Sequence, residues 1–272
     1  MRVRGRPTLR RPGVYGGGML LDAQRSFFAE HGWLVVRGAV PLEQVRELEQ
    51  AVDAIHAAMP PVAAGQVWEL PNVSQLSDAI ARHVRDAAIG QRGAEALGCA
   101  SVKILQDTVL VKAAHVGGPV AWHQDHTYTG YLDPARAISV RLALTDCNAG
   151  NGCLEVIDGS HAWGLLGDVR ALTEDHVADA LGAAAVRWRD RVTAIELAPG
   201  DLSIHHCLTL HRSGENRSAR ARKTLITRLF DASCQLVPER LPPGAAAYFP
   251  VDRDGRLADA AFPVVYGRAA AT

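Results

Sequence analysis

"VAWHQDHTY", residues 120–128, places an imidazole, a carboxylate and a second imidazole at His123, Asp125 and His126. Read as a strand, residues two apart share a face, so His123 and Asp125 look to one side while Gln124 and His126 look to the other. One face then offers a nitrogen and an oxygen ligand together. A His-x-Asp pair also suits an ordinary hydrogen-bonded turn, so the flanking sequence has to decide between a metal site and a turn.

Beyond Cys99 the chain is a succession of strand-length segments that alternate or run apolar: "SVKILQDTVLVKAA", "AISVRLALTDC", "GCLEVID", "VTAIEL", "DLSIHHCLTL" and "KTLITRLF". Gly, Pro and Asn turns separate them. Many short strands at this spacing predict a mainly β domain, and a double-sheet jelly roll is the architecture whose interior can hold a metal. Helices are added mainly at the front. An apolar-periodic run from Leu20 to His31 closes at Gly32, and "VPLEQVRELEQAVDAIHAAMPP" carries Val45, Leu48, Val52, Ile55 and Met59 on one stripe. A further helix is expected over about 74–90, with Leu76, Ile80, Val84 and Ala88 on its stripe, and another over 172–185.

Composition narrows the function classes. Formal net charge is zero and 48% of the 272 residues are hydrophobic, which argues against disorder and against a polyanion-binding surface. No stretch approaches the eighteen or so apolar residues of a membrane span, and the first thirty residues lack a signal peptide's apolar core. The expectation is a cytoplasmic protein with a small-molecule partner, no nucleic acid and no membrane, as a monomer or a homodimer. Five cysteines without paired CxxC spacing read as buried small hydrophobes. The leader 1–18 has five arginines and no acids, and is expected to be a disordered arm ahead of a single domain over 19–272.

A third ligand is available in "GDLSIHHCLTLHRSGENRSARARKTLITRLF", where a strand leads to His211 and Arg222 follows eleven residues later. Two histidines and one carboxylate leave three coordination positions open, an arrangement suited to non-haem Fe(II) oxygenases. His205 and His206 compete with His211 for the third position.

The pattern "WHQD", then "NGCLEVIDGSH", then "GDLSIHHCLTLHRSGENRS" and Arg222 resembles the phytanoyl-CoA dioxygenase family of Fe(II)/2-oxoglutarate oxygenases, over roughly residues 20–235. The resemblance implies a double-stranded β-helix, cupin-like, with helices packed outside. It implies His123, Asp125 and His211 as iron ligands, because the spacing to "SGEN" and Arg222 matches only with His211. Arg222 would grip the distal carboxylate of 2-oxoglutarate through a planar fork, and Ser213 would add a bond to the same group. Gln106 and Thr108 are expected to line the cosubstrate pocket. Arg141 stands where relatives carry an aromatic residue, and would meet the cosubstrate's near carboxylate or an anionic substrate. Asp158 replaces a common proline and should alter only a turn. Lys103 and Lys112 read as edge charges. Trp68, Tyr128, Tyr131 and Trp163 are candidate aromatic walls, on or beside the expected covering loops 60–75, 126–136 and 162–172.

The activity implied is oxidation of an unactivated C–H bond, hydroxylation by default, with 2-oxoglutarate and O2 converted to succinate and carbon dioxide and ascorbate as the reductant in vitro. Desaturation, cyclisation and epimerisation are alternative outcomes of the same chemistry. A non-catalytic jelly-roll binding module is the alternative of a different class, and a zinc hydrolase the third. An Ala-, Arg- and Gly-rich composition is similar to that of enzymes tailoring secondary metabolites.

Overall fold

The structure, a computed structural model, describes residues 19–167, 172–181 and 188–267. The expected arm, residues 1–18, and the end of the helix expected over 172–185 lie outside them. Among the described residues the elements run α1 (Asp22–His31), β1 (Trp33–Val36), α2 (Leu42–Ala58), β2 (Trp68–Pro71), α3 (Asp78–Val84), α4 (Ala87–Leu97), β3 (Val102–Lys112), β4 (Val120–His123), α5 (His126–Thr129), β5 (Leu132–Asp133), β6 (Ala137–Ala143), β7 (Leu154–Ile157), α6 (Glu174–Leu181), β8 (Val192–Ile195), β9 (Leu202–His206), β10 (His211–Ser213), β11 (Arg222–Asp231), β12 (Gln235–Leu236) and β13 (Val264–Tyr266).

The major sheet has the order β1-β9-β6-β11-β3-β13, with β2 also paired to β3, and every pairing is antiparallel. The minor sheet runs β4-β10-β7-β8. Period-two alternation gives the major sheet two unlike faces. Leu225 and Leu229 of β11, Val109 and Val111 of β3, Ile138, Val140 and Leu142 of β6, and Leu202 and Ile204 of β9 share one apolar cluster with Val45, Leu48 and Val52 of α2, Ile80 and Val84 of α3, and Ile89 and Leu97 of α4. Each such side chain stabilises the fold by about 1.5–3 kcal/mol when fully buried. The residues between them, Gln106, Thr108, Ser139, Arg141, Arg222 and Arg228, belong to the opposite face, which looks toward the minor sheet. This is the jelly roll expected, with helices outside.

α1 ends at Gly32, which adopts φ 76° and donates its N–H to Phe28 O. Only glycine serves there, because an added Cβ would sit 2.3 Å from His161 Nδ1. The helix expected over 74–90 is instead a short 3-10 turn followed by α3 and α4. Ser77 accepts from Ile80 N at one start and Asp86 from Ala88 N at the other, so two N-caps override the apolar stripe. Lys103 and Lys112 are fully buried rather than edge charges. Lys103 Nζ lies 2.7 Å from Asp259 Oδ1 and donates to Leu257 O, which compensates the buried ammonium. Asp158 does more than shape a turn: it accepts from Trp33 Nε1 and faces His31 Nδ1, both at 2.8 Å, and so ties β1 to the minor sheet. Cys147, Cys153, Cys207 and Cys234 are buried free thiols and Cys99 is half-buried.

Candidate metal centre

β4 stops at His123, two residues short of Asp125, so strand alternation does not place the two side by side. Asp125 has φ −58° and ψ −30° and opens the short helix α5. The shared face predicted from a strand is therefore produced by a strand followed by a helical turn. His211 is the direct cross-strand partner of His123 in the β10–β4 pair, which supplies the third group. One nitrogen from each histidine and one carboxylate oxygen lie within 4.8 Å of one another.

Hydrogen bonds set the tautomers. His123 Nδ1 faces Ala121 O and His211 Nδ1 faces Thr209 O, both at 2.9 Å. A carbonyl can only accept, so each Nδ1 carries a proton, and in the neutral ring it is Nε2 that presents the lone pair. Both Nε2 atoms sit 3.7 Å from Asp125 Oδ1. The other carboxylate oxygen is committed elsewhere: Ser139 Oγ donates to Oδ2 at 2.6 Å, and His205 Nε2 lies 3.2 Å from it. Burial alone would raise the pKa of Asp125, but His211, the His205 hydrogen bond and Arg228 outweigh it and hold the carboxyl well below its usual range. Burial, then His123 and His205, hold His211 well below the ordinary imidazole value. A neutral imidazole and an ionised carboxylate are the protonation states a metal requires.

The doublet His205–His206 divides its labour. His205 supports Asp125 from β9, while His206 Nδ1 accepts from Leu208 N at 3.2 Å and shapes the turn that breaks the strand before His211. Burial pushes the His206 imidazole down to about 3. Neither belongs to the three-residue cluster.

These groups open onto a cleft between the two sheets, lined from the major sheet by Arg141, Arg222, Arg228 and Ser139 and from the minor sheet by Leu154 and Ser213. Arg222 is 1% exposed; it donates from Nη1 to Gly152 O, and its buried Nε has no partner among the described residues. Gly152 adopts φ 73°, and a Cβ there would meet Gly214 O at 2.2 Å, so the residue is fixed as glycine where its carbonyl seats Arg222. Arg141 donates to Thr224 Oγ1 at 3.4 Å, and burial followed by the nearby Arg222 lowers it to about 10. Lys112 donates to Ser213 O and Gly214 O. Gln106 and Thr108 accept from Arg228 Nη1 at 3.2 and 2.7 Å.

Of the four candidate aromatic walls, Tyr128 stands beside the centre, its ring 6.0 Å from that of His123 and 47% exposed. Trp68 and Tyr131 are buried in core clusters, and Trp163 packs against another with Arg191 over its face. His126 is buried and out of the cluster, and His161 Nε2 faces Ala29 O at 3.2 Å. Sequence reasoning missed Ser139, although it lies two residues before Arg141 on the same face of β6. It also missed Gln124, whose amide holds Gly164 O, Leu208 O and Leu166 N and so braces the loops flanking the cleft.

The family model for phytanoyl-CoA dioxygenase (PhyH) matches residues 28–224. A phytanoyl-CoA dioxygenase 1 of Oryza sativa subsp. japonica is 32% identical over 129 residues, covering 47% of this chain and 44% of that one. An ectoine dioxygenase of Bordetella parapertussis is 27% identical over 235 residues, covering 76% of this chain and 75% of that one. The chain spans about half the length of the phytanoyl-CoA dioxygenase relatives it matches. Among solved structures, the non-haem α-ketoglutarate-dependent carbocyclase SnoK from nogalamycin biosynthesis superposes with a TM-score of 0.74 at 21% identity, over 92% of this chain and 99% of that one. With its family model spanning most of the β core and both halves of the His–Asp–His cluster, the chain belongs to the phytanoyl-CoA dioxygenase family.

Proposed function

We propose that the chain is an Fe(II)/2-oxoglutarate-dependent oxygenase that hydroxylates an unactivated C–H bond of a small molecule, an intermediate of secondary metabolism, in the cytoplasm. The observation that carries this reading is the pairing within one cleft of a two-histidine, one-carboxylate set with a buried guanidinium whose Nε lacks a partner. A metal-binding module without turnover would have no use for that buried cation. The donor set fits ferrous iron, with three positions left open.

His123, Asp125 and His211 would hold the iron, and Arg222 with Ser213 would hold the distal carboxylate of 2-oxoglutarate. Arg141, buried beside Arg222, would meet the near carboxylate. Iron and 2-oxoglutarate, when bound, supply the activation of O2 and the oxidising equivalent. The protein's own contribution is to keep the His211 imidazole neutral, one carboxylate charged and two guanidiniums fixed, and to exclude water from between the sheets. Among the described residues no helix is long and apolar enough to cross a membrane. The carbocyclase and the ectoine dioxygenase share the fold or family with different reactions, so the outcome on this chain's substrate is set by how that substrate lies in the cleft.

Adding Fe(II) and then 2-oxoglutarate without oxygen is expected to give a visible charge-transfer band, with one iron per chain. His211→Ala should abolish the band and His206→Ala should spare it; the opposite pattern would reassign the third ligand. Ascorbate-supported conversion of candidate substrates, read by mass spectrometry, then identifies the reaction.

A further inference from the structure

We infer that the cleft contains a second anion seat, built on Arg228, and that the molecule oxidised carries a carboxylate which docks there; the inference rests on the function proposed above.

Arg222 and Arg228 lie six residues apart on β11 and, by the alternation of the strand, on the same face. That is roughly 20 Å of strand, more than a five-carbon diacid spans. Arg141 is the cross-strand partner of Ile226, midway between Thr224 and Arg228. Its guanidinium turns toward the Arg222 end, donating to Thr224 Oγ1, so one dicarboxylate held by Arg222 together with Arg141 leaves Arg228 at the far end.

No carboxylate among the described residues lies within ion-pair distance of Arg228, whose charge acts on Asp125 from farther off. The arginine nonetheless lines the same cleft as the metal ligands. Asp125 has one oxygen facing the two imidazoles and the other bonded to Ser139, while Glu69, at the cleft rim on β2, is exposed. The partners of Arg228 are the neutral oxygens of Gln106 and Thr108, both on Nη1. They orient the guanidinium plane without neutralising it, and the rest of the fork remains for an acceptor. A half-buried cation that is oriented by neutral groups and has no ion-pair partner is costly for folding alone, and it is the arrangement expected of a ligand seat.

Its position gives the seat a purpose. Arg228 pairs across the sheet with Ser139, the residue that holds Asp125. A carboxylate docked on Arg228 would direct the carbon chain attached to it across the ligand set, from the side opposite Arg222. The substrate class is thus a small carboxylic acid, oxidised on a carbon a few bonds from its carboxylate.

The test uses holoprotein loaded with Fe(II) and saturating 2-oxoglutarate without oxygen, so that the cosubstrate seat is filled. Butanoate and cyclohexanecarboxylate are compared with butanamide and cyclohexanecarboxamide by ligand-observed NMR. Each acid should bind at least about tenfold more tightly than its amide. Arg228→Gln should erase that preference and leave 2-oxoglutarate affinity within about threefold of wild type, whereas Arg228→Lys should retain part of the preference. Equal binding of acids and amides to the wild-type protein overturns the inference. So does a loss of 2-oxoglutarate affinity in Arg228→Gln as large as that in Arg222→Ala, because Arg228 would then belong to the cosubstrate seat. Absence of the charge-transfer band in the wild-type protein would count against the proposed function instead, and an acid preference lost in Arg228→Gln but kept in Arg222→Ala would still assign the seat to Arg228.

Discussion

The Ser139 hydroxyl donates to Asp125 Oδ2 at 2.6 Å, so the carboxylate is pinned with its other oxygen toward His123 and His211. Both residues are buried, Ser139 on β6 of the major sheet and Asp125 on the turn after β4 of the minor one. One bond thereby spans the two layers and fixes which oxygen is free.

Ser139→Ala is expected to leave the fold intact and weaken iron binding about 10–100-fold, the usual effect of removing an outer partner of a metal ligand. Iron titration monitored by the charge-transfer band, alongside circular dichroism, measures both. Wild-type affinity in that variant would mean that His205 alone suffices to orient the carboxylate.

Arg222→Ala separates cosubstrate from metal. The variant keeps all three cluster residues but removes a buried guanidinium already seated on Gly152 O. Iron should bind as before, and 2-oxoglutarate should bind at least tenfold more weakly, for a loss of about 2–5 kcal/mol. Unchanged affinity, read by calorimetry, would move the role to Arg141.

Much of this site was legible because its parts lie where local sequence controls geometry. His211 and Arg222 sit at the starts of β10 and β11, and alternation alone assigns Arg141, Ser213 and Thr108 to faces. The jelly roll followed from the same period-two pattern and the turn residues between segments. What escaped were consequences of long-range packing. Nothing local says that β4 ends at His123, since the turn is held by His126 N donating to Cys207 O, 81 positions along the chain. Lys112 reads as an edge charge until the sheet pairing shows β3 flanked by β11 on one side and β2 on the other. The two N-caps at Ser77 and Asp86 were visible in the sequence, but a continuous apolar stripe suggested one helix where there are two.

Acid stability should depend on His83, which lies in the helical layer away from the cleft. Burial, reinforced by Arg92 and opposed by Asp86, lowers its pKa to about 4. In the unfolded chain the value is 6.5. The depressed folded value means that the unfolded state binds the proton more readily, so the contribution is complete above pH 6.5 and is lost as pH falls toward 4. The loss is on the order of 3 kcal/mol across that window. Urea unfolding of the metal-free protein at pH 7 and pH 4.5 measures it, and His83→Leu should flatten the difference. Parallel losses in both proteins would assign the acid sensitivity elsewhere.

Lys112 provides a pH dependence of ligand binding with a defined sign. Burial first, then the positive charges of Arg222 and Arg141, lower its pKa to about 7. If 2-oxoglutarate occupies the cleft as proposed, its carboxylates offset those cations and raise the ammonium's pKa above 7, although burial still opposes the charge. Below pH 7 the lysine is charged in both states and affinity should be flat. Above pH 7 it is neutral in the free protein and charged in the complex, so binding takes up a proton and affinity falls by up to about tenfold per pH unit. The measurement is calorimetry at pH 8.5 on Fe(II)-loaded protein without oxygen, in two buffers of different ionisation heat. Wild-type protein should show net proton uptake, and Lys112→Met none. Identical heats in the two buffers for the wild-type protein would place Lys112 outside the reach of the cosubstrate, and its two backbone acceptors, Ser213 O and Gly214 O, would be its whole role.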